Sequence, residues 1–327
     1  MSAFTSILVP LDGSSSAEQA LPLAEYLAEL TLSKLDFVMV HQPAPLWYVP
    51  ESGVGFTGFD HAVRRKELVY LERVAGRFSA GTGLPADSTL LDGDVVHAID
   101  EFIQHHSIDL VVMSTHSRDG LSRLWKGSVA DSLVRSLSLP VLVIHPGHVT
   151  PVRPRAVRRI LVPLDGSAWA ASIVHQAKNI ATLTGATIVL AVMMTPAPTE
   201  TNELRGRRYL EQAERQLAAE GFRTESRLIV GRHVSRSILK LVAAEDCDMI
   251  VLATHGPSVL HSAMSGSVVD AVIREATVPV LIQRPFTVRD RETRTAAAVE
   301  SMIAASPVGP DTIRHYAGAM SWYYSKS

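Results

Sequence analysis

The chain has 327 residues, 46% of them hydrophobic, which is enough for two domains of ordinary size, each with its own core. A net charge of −2 gives no electrostatic case for nucleic acid or an anionic membrane, and no run of about 18 apolar residues offers a membrane span. The one cysteine, Cys247, excludes an intramolecular disulfide and a Cys-clustered metal site; with no signal-peptide pattern at the start, a reducing cytoplasm is expected.

In chain order the first half reads as strands alternating with helices. Phe4 to Val9 is strand one. Ser15 with Glu18 forms a capping-box pattern, after which Ala20, Leu23, Ala24, Leu27 and Leu30 recur at helical spacing. Phe37 to Val40 is strand two. Gln42 to Asp60, rich in proline and glycine, reads as loop, and a polar helix follows from about His61 to Phe78. Thr89 to Leu91 ends strand three, Gly93-Asp94 turns into a helix near Val95 to His105, and Leu110 to Met113 is strand four. A long loop leads to Gly127-Ser128 and a helix reaching Leu137. Pro140 to Ile144 is strand five. Such alternation predicts a parallel, doubly wound sheet.

The second half repeats the first. Ile7-Leu8-Val9-Pro10-Leu11-Asp12-Gly13-Ser14 returns unchanged at Ile160 to Ser167, an offset of 153 residues, while Thr115-His116 and Gly127-Ser128 return as Thr254-His255 and Gly266-Ser267 at an offset of 139. The second copy has therefore lost a net 14 residues, and the insert around Trp47 to Phe59 is the obvious place. This is a tandem duplication of whole domains: 1–146, a linker at 147–157, and 158–285, with a C-terminal extension at 286–327 expected to be partly helical or disordered. Strands beginning at Pro140 and Pro279 are apolar and expected at sheet edges, where they invite pairing between the halves and a homodimer of the chain.

Two features carry chemistry. In open α/β sheets ligands bind just beyond the carboxyl ends of the strands, where Asp12 and Asp165 fall. A carboxylate there accepts hydrogen bonds from ribose hydroxyls, although Asp-Gly-Ser is also simply a good turn and cap. After strand four, Ser114-Thr-His-Ser117 and Ala253-Thr-His-Gly256 precede Gly127-Ser128 and Gly266-Ser267 at equal spacing. Small residues let backbone amides approach an anion, and a helix opening on Gly-Ser offers free amides and a positive dipole end to phosphate. Gly53-Val-Gly55-Phe-Thr-Gly58 matches a dinucleotide fingerprint but lacks the strand that must directly precede it; a lid over the nearby site is the expected role. His116 and His255 have no partner at metal-ligand spacing, His105-His106 reads as a solvated helix end, and Cys247 reads as packed.

These motifs together resemble the universal stress protein family in its tandem, UspA-like form, over about residues 4–145 and 158–284. The resemblance implies two tandem Rossmann-like domains of the adenine nucleotide alpha hydrolase-like type, each a five-stranded parallel sheet with helices on both faces. It implies ATP, with or without Mg, as ligand. Phosphate contacts carry over to Ser114, Ser117, Gly127 and Ser128, and to Ala253, Gly256, Gly266 and Ser267. Ribose contacts carry over to Asp12 and Asp165, with Pro10 and Pro163 lining the sites and adenine near Gln42 and Thr195. The family's loop has glycine where this chain has Ser114, Ser117 and Ala253, so weaker binding is expected, with the second site nearer the pattern. Arg118 and Arg123 are further phosphate candidates in the first half. The expected function is a nucleotide-binding stress-response regulator or scaffold with an unidentified protein partner. A slow ATP hydrolase or phosphotransferase and a ligand-free scaffold with degenerate sites are the alternatives. No general base or metal site stands out, so no catalytic residue is assigned. In the extension, Ile313, Tyr316, Met320, Trp322, Tyr323 and Tyr324 suggest a docking helix over Asp311 to Trp322.

Overall fold

The structure, a computed structural model, describes residues 4–43, 56–115, 129–146, 157–164, 170–194, 200–254 and 266–284. The first half runs β1 (Ser6–Pro10), α1 (Ser15–Glu18), α2 (Leu21–Thr31), β2 (Lys34–His41), α3 (Phe56–Thr82), β3 (Ala86–Asp92), α4 (Val95–His105), β4 (Leu110–Ser114), α5 (Val129–Ser136) and β5 (Val141–Ile144). The second half repeats it as β6 (Arg159–Leu164), α6 (Ala170–Thr184), β7 (Thr187–Met194), α7 (Glu200–Ala219), β8 (Thr224–Val230), α8 (Val234–Ala244), β9 (Met249–Ala253), α9 (Gly266–Glu275) and β10 (Val280–Gln283). The linker, the insert around Trp47 and the C-terminal extension fall mostly or wholly outside the described residues.

The strands form one sheet in the order β3-β2-β1-β4-β5-β10-β9-β6-β7-β8. Within each half the strands are parallel, and the halves join through an antiparallel pairing of β5 with β10. The pairing expected from the apolar strands after Pro140 and Pro279 is therefore the joint within the chain. Leu142 lies opposite Leu281, its own counterpart in the duplication, with Val143 opposite Val280 and Val141 opposite Ile282. A pseudo-two-fold axis thus passes through the Leu142–Leu281 pair, and the two halves meet as an isologous dimer would.

Strand residues alternate between two apolar layers, as the period of two requires. Ile7, Val9, Phe37, Leu142, Ile160 and Leu281 face one layer with α2, α3, α6 and α7. Leu8, Val38, Val143, Leu161, Ile250 and Ile282 face the other with α4, α5, α8 and α9. Both layers contain residues of both halves, so the core is continuous across the joint. Arg135 on α5 adds a polar clamp: its Nε reaches Asp131 at 2.6 Å, and its Nη2 donates to both carboxylate oxygens of Asp270 on α9, at 2.8 and 2.9 Å.

The duplication extends to hydrogen-bond detail. Asp109 Oδ2 accepts from the backbone of Thr5 and Ser6 at 2.8 and 3.3 Å, and Asp248 Oδ2 from Arg158 and Arg159 at 2.8 and 3.0 Å. Some local expectations shift. The cap of α1 is Ser14, whose Oγ accepts from Ala17 N at 3.1 Å, and Glu18 turns away to Tyr70 rather than closing a box with Ser15. Helix α3 begins five residues before His61, at Phe56, so Gly58 of the supposed lid is helical. It also runs past Phe78 to Thr82, where Gly83 at φ +72° stops it. Cys247 is buried, and burial pushes its thiol up to about 11, so it remains a protonated packing residue.

Candidate functional site

The crevice is set by strand divergence. The β1–β4 ladder covers only Ile7↔Leu110 and Leu8↔Val111, although β1 continues to Pro10 and β4 to Ser114. Likewise β6 and β9 pair only at Ile160↔Met249 and Leu161↔Ile250, while β6 reaches Leu164 and β9 Ala253. The central strands therefore part at their carboxyl ends. The helices that follow them leave to opposite layers: α2 and α6 to one, α5 and α9 to the other. That is the topological switch point of a doubly wound sheet, where ligands bind.

Asp12 stands at the first of these crevices, exposed, two residues beyond β1. Its Oδ1 accepts from Ser14 N at 2.9 Å, Gly13 takes a left-handed φ of +78°, and Ser14 then caps α1. The turn-and-cap role of Asp-Gly-Ser is thus real. It is compatible with a ligand role, because a carboxylate accepts from several donors at once. Pro10 ends β1 half-buried, and Pro163 is buried in β6. Tyr70 of α3 closes the same corner, its hydroxyl donating to Glu18 Oε1 at 3.0 Å. Burial, then Glu18 and Asp12, push the phenol well above its usual range, so it stays a neutral donor.

Ser114 is buried, and its hydroxyl donates to the Thr115 carbonyl at 3.2 Å, so that hydroxyl is engaged within its own segment. The loops after β4 and β9 are hooked alike onto the last strand of each half: Thr115 N donates to Ile144 O at 2.8 Å, and Thr254 N to Gln283 O at 2.9 Å. Gly266 and Ser267 occupy the first turn of α9, the expected helix opening. Gln42 lies just beyond β2, and its Nε2 donates to Gly93 O at 3.1 Å. Ala253 ends β9 half-buried. Ser117, Gly127, Ser128, Asp165, Thr195 and Gly256 lie outside the described residues, as do Arg118, Arg123, His116 and His255.

Two groups beside the crevices escaped the sequence reading. Gln283, the last residue of β10, is 2% exposed, and its Nε2 has no hydrogen-bond partner among the described residues. The first half has apolar Ile144 at the same place, so comparing the two copies position by position exposes the signal. An unmet buried donor costs about 1–3 kcal/mol. Gln283→Ile is therefore expected to raise the melting temperature of the ligand-free protein, measured by differential scanning fluorimetry. A lowered value would mean that the amide is satisfied.

The second group is His41, at the end of β2 and 1% exposed. Its Nδ1 lies 2.6 Å from Glu67 and its Nε2 3.0 Å from Asp60, both on α3. Burial disfavours the charged ring, but the two carboxylates outweigh burial, and the pKa is raised. The second half has Met194 there, with Gly206 against it. A folded pKa above the unfolded one means that the stabilisation is full below about pH 6.5 and is lost as pH rises through the folded value. His41→Met is accordingly expected to lower the melting temperature more at pH 6 than at pH 9. Equal losses at both pH values would show that the charge contributes nothing.

The fold and crevice define a tandem pair of doubly wound α/β units related by a pseudo-two-fold axis. Residues 3–145 and 156–284 match the universal stress protein family, and the chain belongs to that family. It is 30% identical to a universal stress protein of Thermus aquaticus over 142 residues, covering 43% of this chain and 98% of that one. A Bacillus subtilis relative is 26% identical over 149 residues, covering 43% and 99%. A universal stress protein of Archaeoglobus fulgidus has the same fold across both halves, with a TM-score of 0.68, 20% identity, and coverage of 86% of this chain and 98% of that one. A putative universal stress protein of Pseudomonas aeruginosa gives a TM-score of 0.62 at 19% identity, covering 90% and 98%. Among the described residues no helix is long and apolar enough to cross a membrane, and no group of three metal-ligating side chains occurs.

Proposed function

We propose that the chain is a cytoplasmic, ATP-binding stress-response regulator that takes nucleotide at the crevice of each half and presents nucleotide-dependent surfaces to a protein partner. One observation supports it most: each half parts its central strands at the switch point, and in the sequence of each half Asp-Gly-Ser follows the first of these strands. In the first half that segment holds Asp12 exposed at the crevice mouth. In the second, Gly266 opens α9, and a helix start of this kind suits phosphate. Binding is read as regulatory because occupancy at a switch point contacts loops from several elements at once, and a ligand shifts whichever loop arrangement it binds better. Calorimetric titration with ATP, with its stoichiometry, is the test, together with release of co-purified nucleotide on denaturation. No heat and no released nucleotide would leave the ligand-free scaffold. Phosphate release above a Gly266→Asp control would instead make the protein a hydrolase. The chain is further proposed to form a homodimer, which light scattering at micromolar concentration checks. Because β5 and β10 are used within the chain, that contact must lie elsewhere.

A further inference from the structure

Helix α3 bears a cationic stripe that its counterpart α7 keeps only in part. His61, Arg65, Lys66, Val69, Tyr70 and Arg73 recur at helical spacing on one face, and a cavity of about 670 Å³ opens along them. His61, Arg65, Lys66 and Arg73 are exposed. The first three make no ion pair or hydrogen bond among the described residues, and Arg73 lies over the Tyr70 ring at 5.6 Å. Arg64, one position away, behaves differently and is bonded to both oxygens of Asp92. An offset of 139 superposes buried Leu71 on Leu210 and Phe78 on Leu217. At that offset Tyr70 recurs as Tyr209, but His61 becomes Glu200, Arg65 becomes Leu204 and Arg73 becomes Gln212, while Lys66 keeps its charge as Arg205 and Val69 becomes Arg208. The aromatic floor is common to both halves, but the cations on it sit at different positions, three in the first half and two in the second.

The stripe adjoins the first-half crevice, because Tyr70, which lines it, donates to Glu18 on α1 and feels the charge of Asp12. Of the nearby acids, Glu18 accepts from Tyr70 and Asp60 and Glu67 face His41, while Glu72 is exposed beside Arg73. The first half is also the copy with serine at both early loop positions, Ser114 and Ser117, and Ser114 spends its hydroxyl on its own loop. We propose that the α3 cavity is a polyphosphate subsite of the first half, in which Arg65, Lys66 and Arg73 supply by side-chain charge the anion binding that a glycine loop supplies by backbone amides. Guanidinium forks suit phosphate oxygens bidentately, and the ammonium adds a point charge. The subsite rests on the nucleotide reading of the crevice, but its anion chemistry does not require the adenine. Exposed cations make it sensitive to salt.

The test is calorimetry on the full chain with inorganic tripolyphosphate and, separately, with ATP. Wild type is compared with Arg65→Ala/Lys66→Ala/Arg73→Ala and with Arg236→Ala/Lys240→Ala, which removes two exposed cations from α8. Tripolyphosphate is expected to bind wild type and the α8 variant alike and to bind the α3 variant about tenfold or more weakly. The ATP stoichiometry per chain should fall by one in the α3 variant only. A melting temperature unchanged from wild type confirms that the α3 variant is folded; single alanine variants of Arg65 and Lys66 replace it otherwise. Tripolyphosphate that fails to bind wild type, or that binds the α3 variant equally well, overturns the subsite. If ATP then still binds at two sites, the nucleotide reading survives without it. If tripolyphosphate binding depends on α3 but ATP binds nowhere, the subsite stands and the nucleotide reading falls.

Discussion

Gly266→Asp is expected to weaken ATP binding to the second half by about tenfold or more, about 1.4 kcal/mol at least, and Asp165→Ala to do the same. The two act through different chemistry. Gly266 opens α9, where unpaired amides and the dipole favour an anion; an aspartate there sets a negative side chain against the phosphate and leaves less room for its approach. Asp165 is the sequence counterpart of Asp12, and its loss is expected to remove an acceptor for ribose hydroxyls. The measurement is cleanest in a chain already carrying Asp12→Ala, so that the titration reports one site. Gly266→Ala separates charge from bulk: it should cost less than aspartate, because it adds only a methyl group. Unchanged affinity in both Gly266→Asp and Asp165→Ala would remove nucleotide binding from the second crevice.

Much of this fold is legible in the chain, for a specific reason. Buried parallel strands are continuous apolar runs, so Ile7 to Val9 and Leu110 to Met113 announce themselves, and the repeat doubles each signal. Strand β3 is harder: it lies at the sheet edge, and Ala86-Asp-Ser-Thr-Leu-Leu-Asp92 is half-exposed, so only its end reads as strand. The start of α3 is masked by Gly58, whose helical placement follows from a tertiary tie, Asp60 to His41, that no local pattern shows. The site divides in the same way. Asp12 and Gly266 are found because a motif fixes their place at a strand end and a helix start. His41 and Gln283 are missed because each is the polar last residue after an apolar run and acquires meaning only from what surrounds it in the fold. The cap moves by one residue, from Ser15 to Ser14, because Glu18 finds a better partner in Tyr70, 52 positions away.

Leu142→Asp is expected to uncouple the two halves. Leu142 and its partner Leu281 are both 0% exposed, and they sit opposite one another on the pseudo-two-fold axis. Both belong to the apolar layer that runs through the joint, together with Ile7, Phe37, Ile160 and Leu190. Leu142→Ala should already cost about 2–5 kcal/mol, from lost transfer energy and the cavity left behind. Aspartate adds a buried charge, and Arg135, the cation that clamps the two halves, is committed to Asp131 and Asp270. The joint rests on three paired residues on each side, and unlike the shorter β1–β4 and β6–β9 ladders it joins the two repeats, so it is where the halves would part from one another. Urea unfolding followed by tryptophan fluorescence and by circular dichroism should be one coincident transition in the parent. In Leu142→Asp it should become two transitions with separate midpoints. Leu30→Ala on α2, 38% exposed, should shift the midpoint little, by about 0.5 kcal/mol or less, and leave a single transition. If Leu142→Asp lowers stability but still unfolds in one step, the halves are coupled through the α2–α6 side of the layer rather than through the strands, and the β5–β10 ladder is the weaker of the two connections.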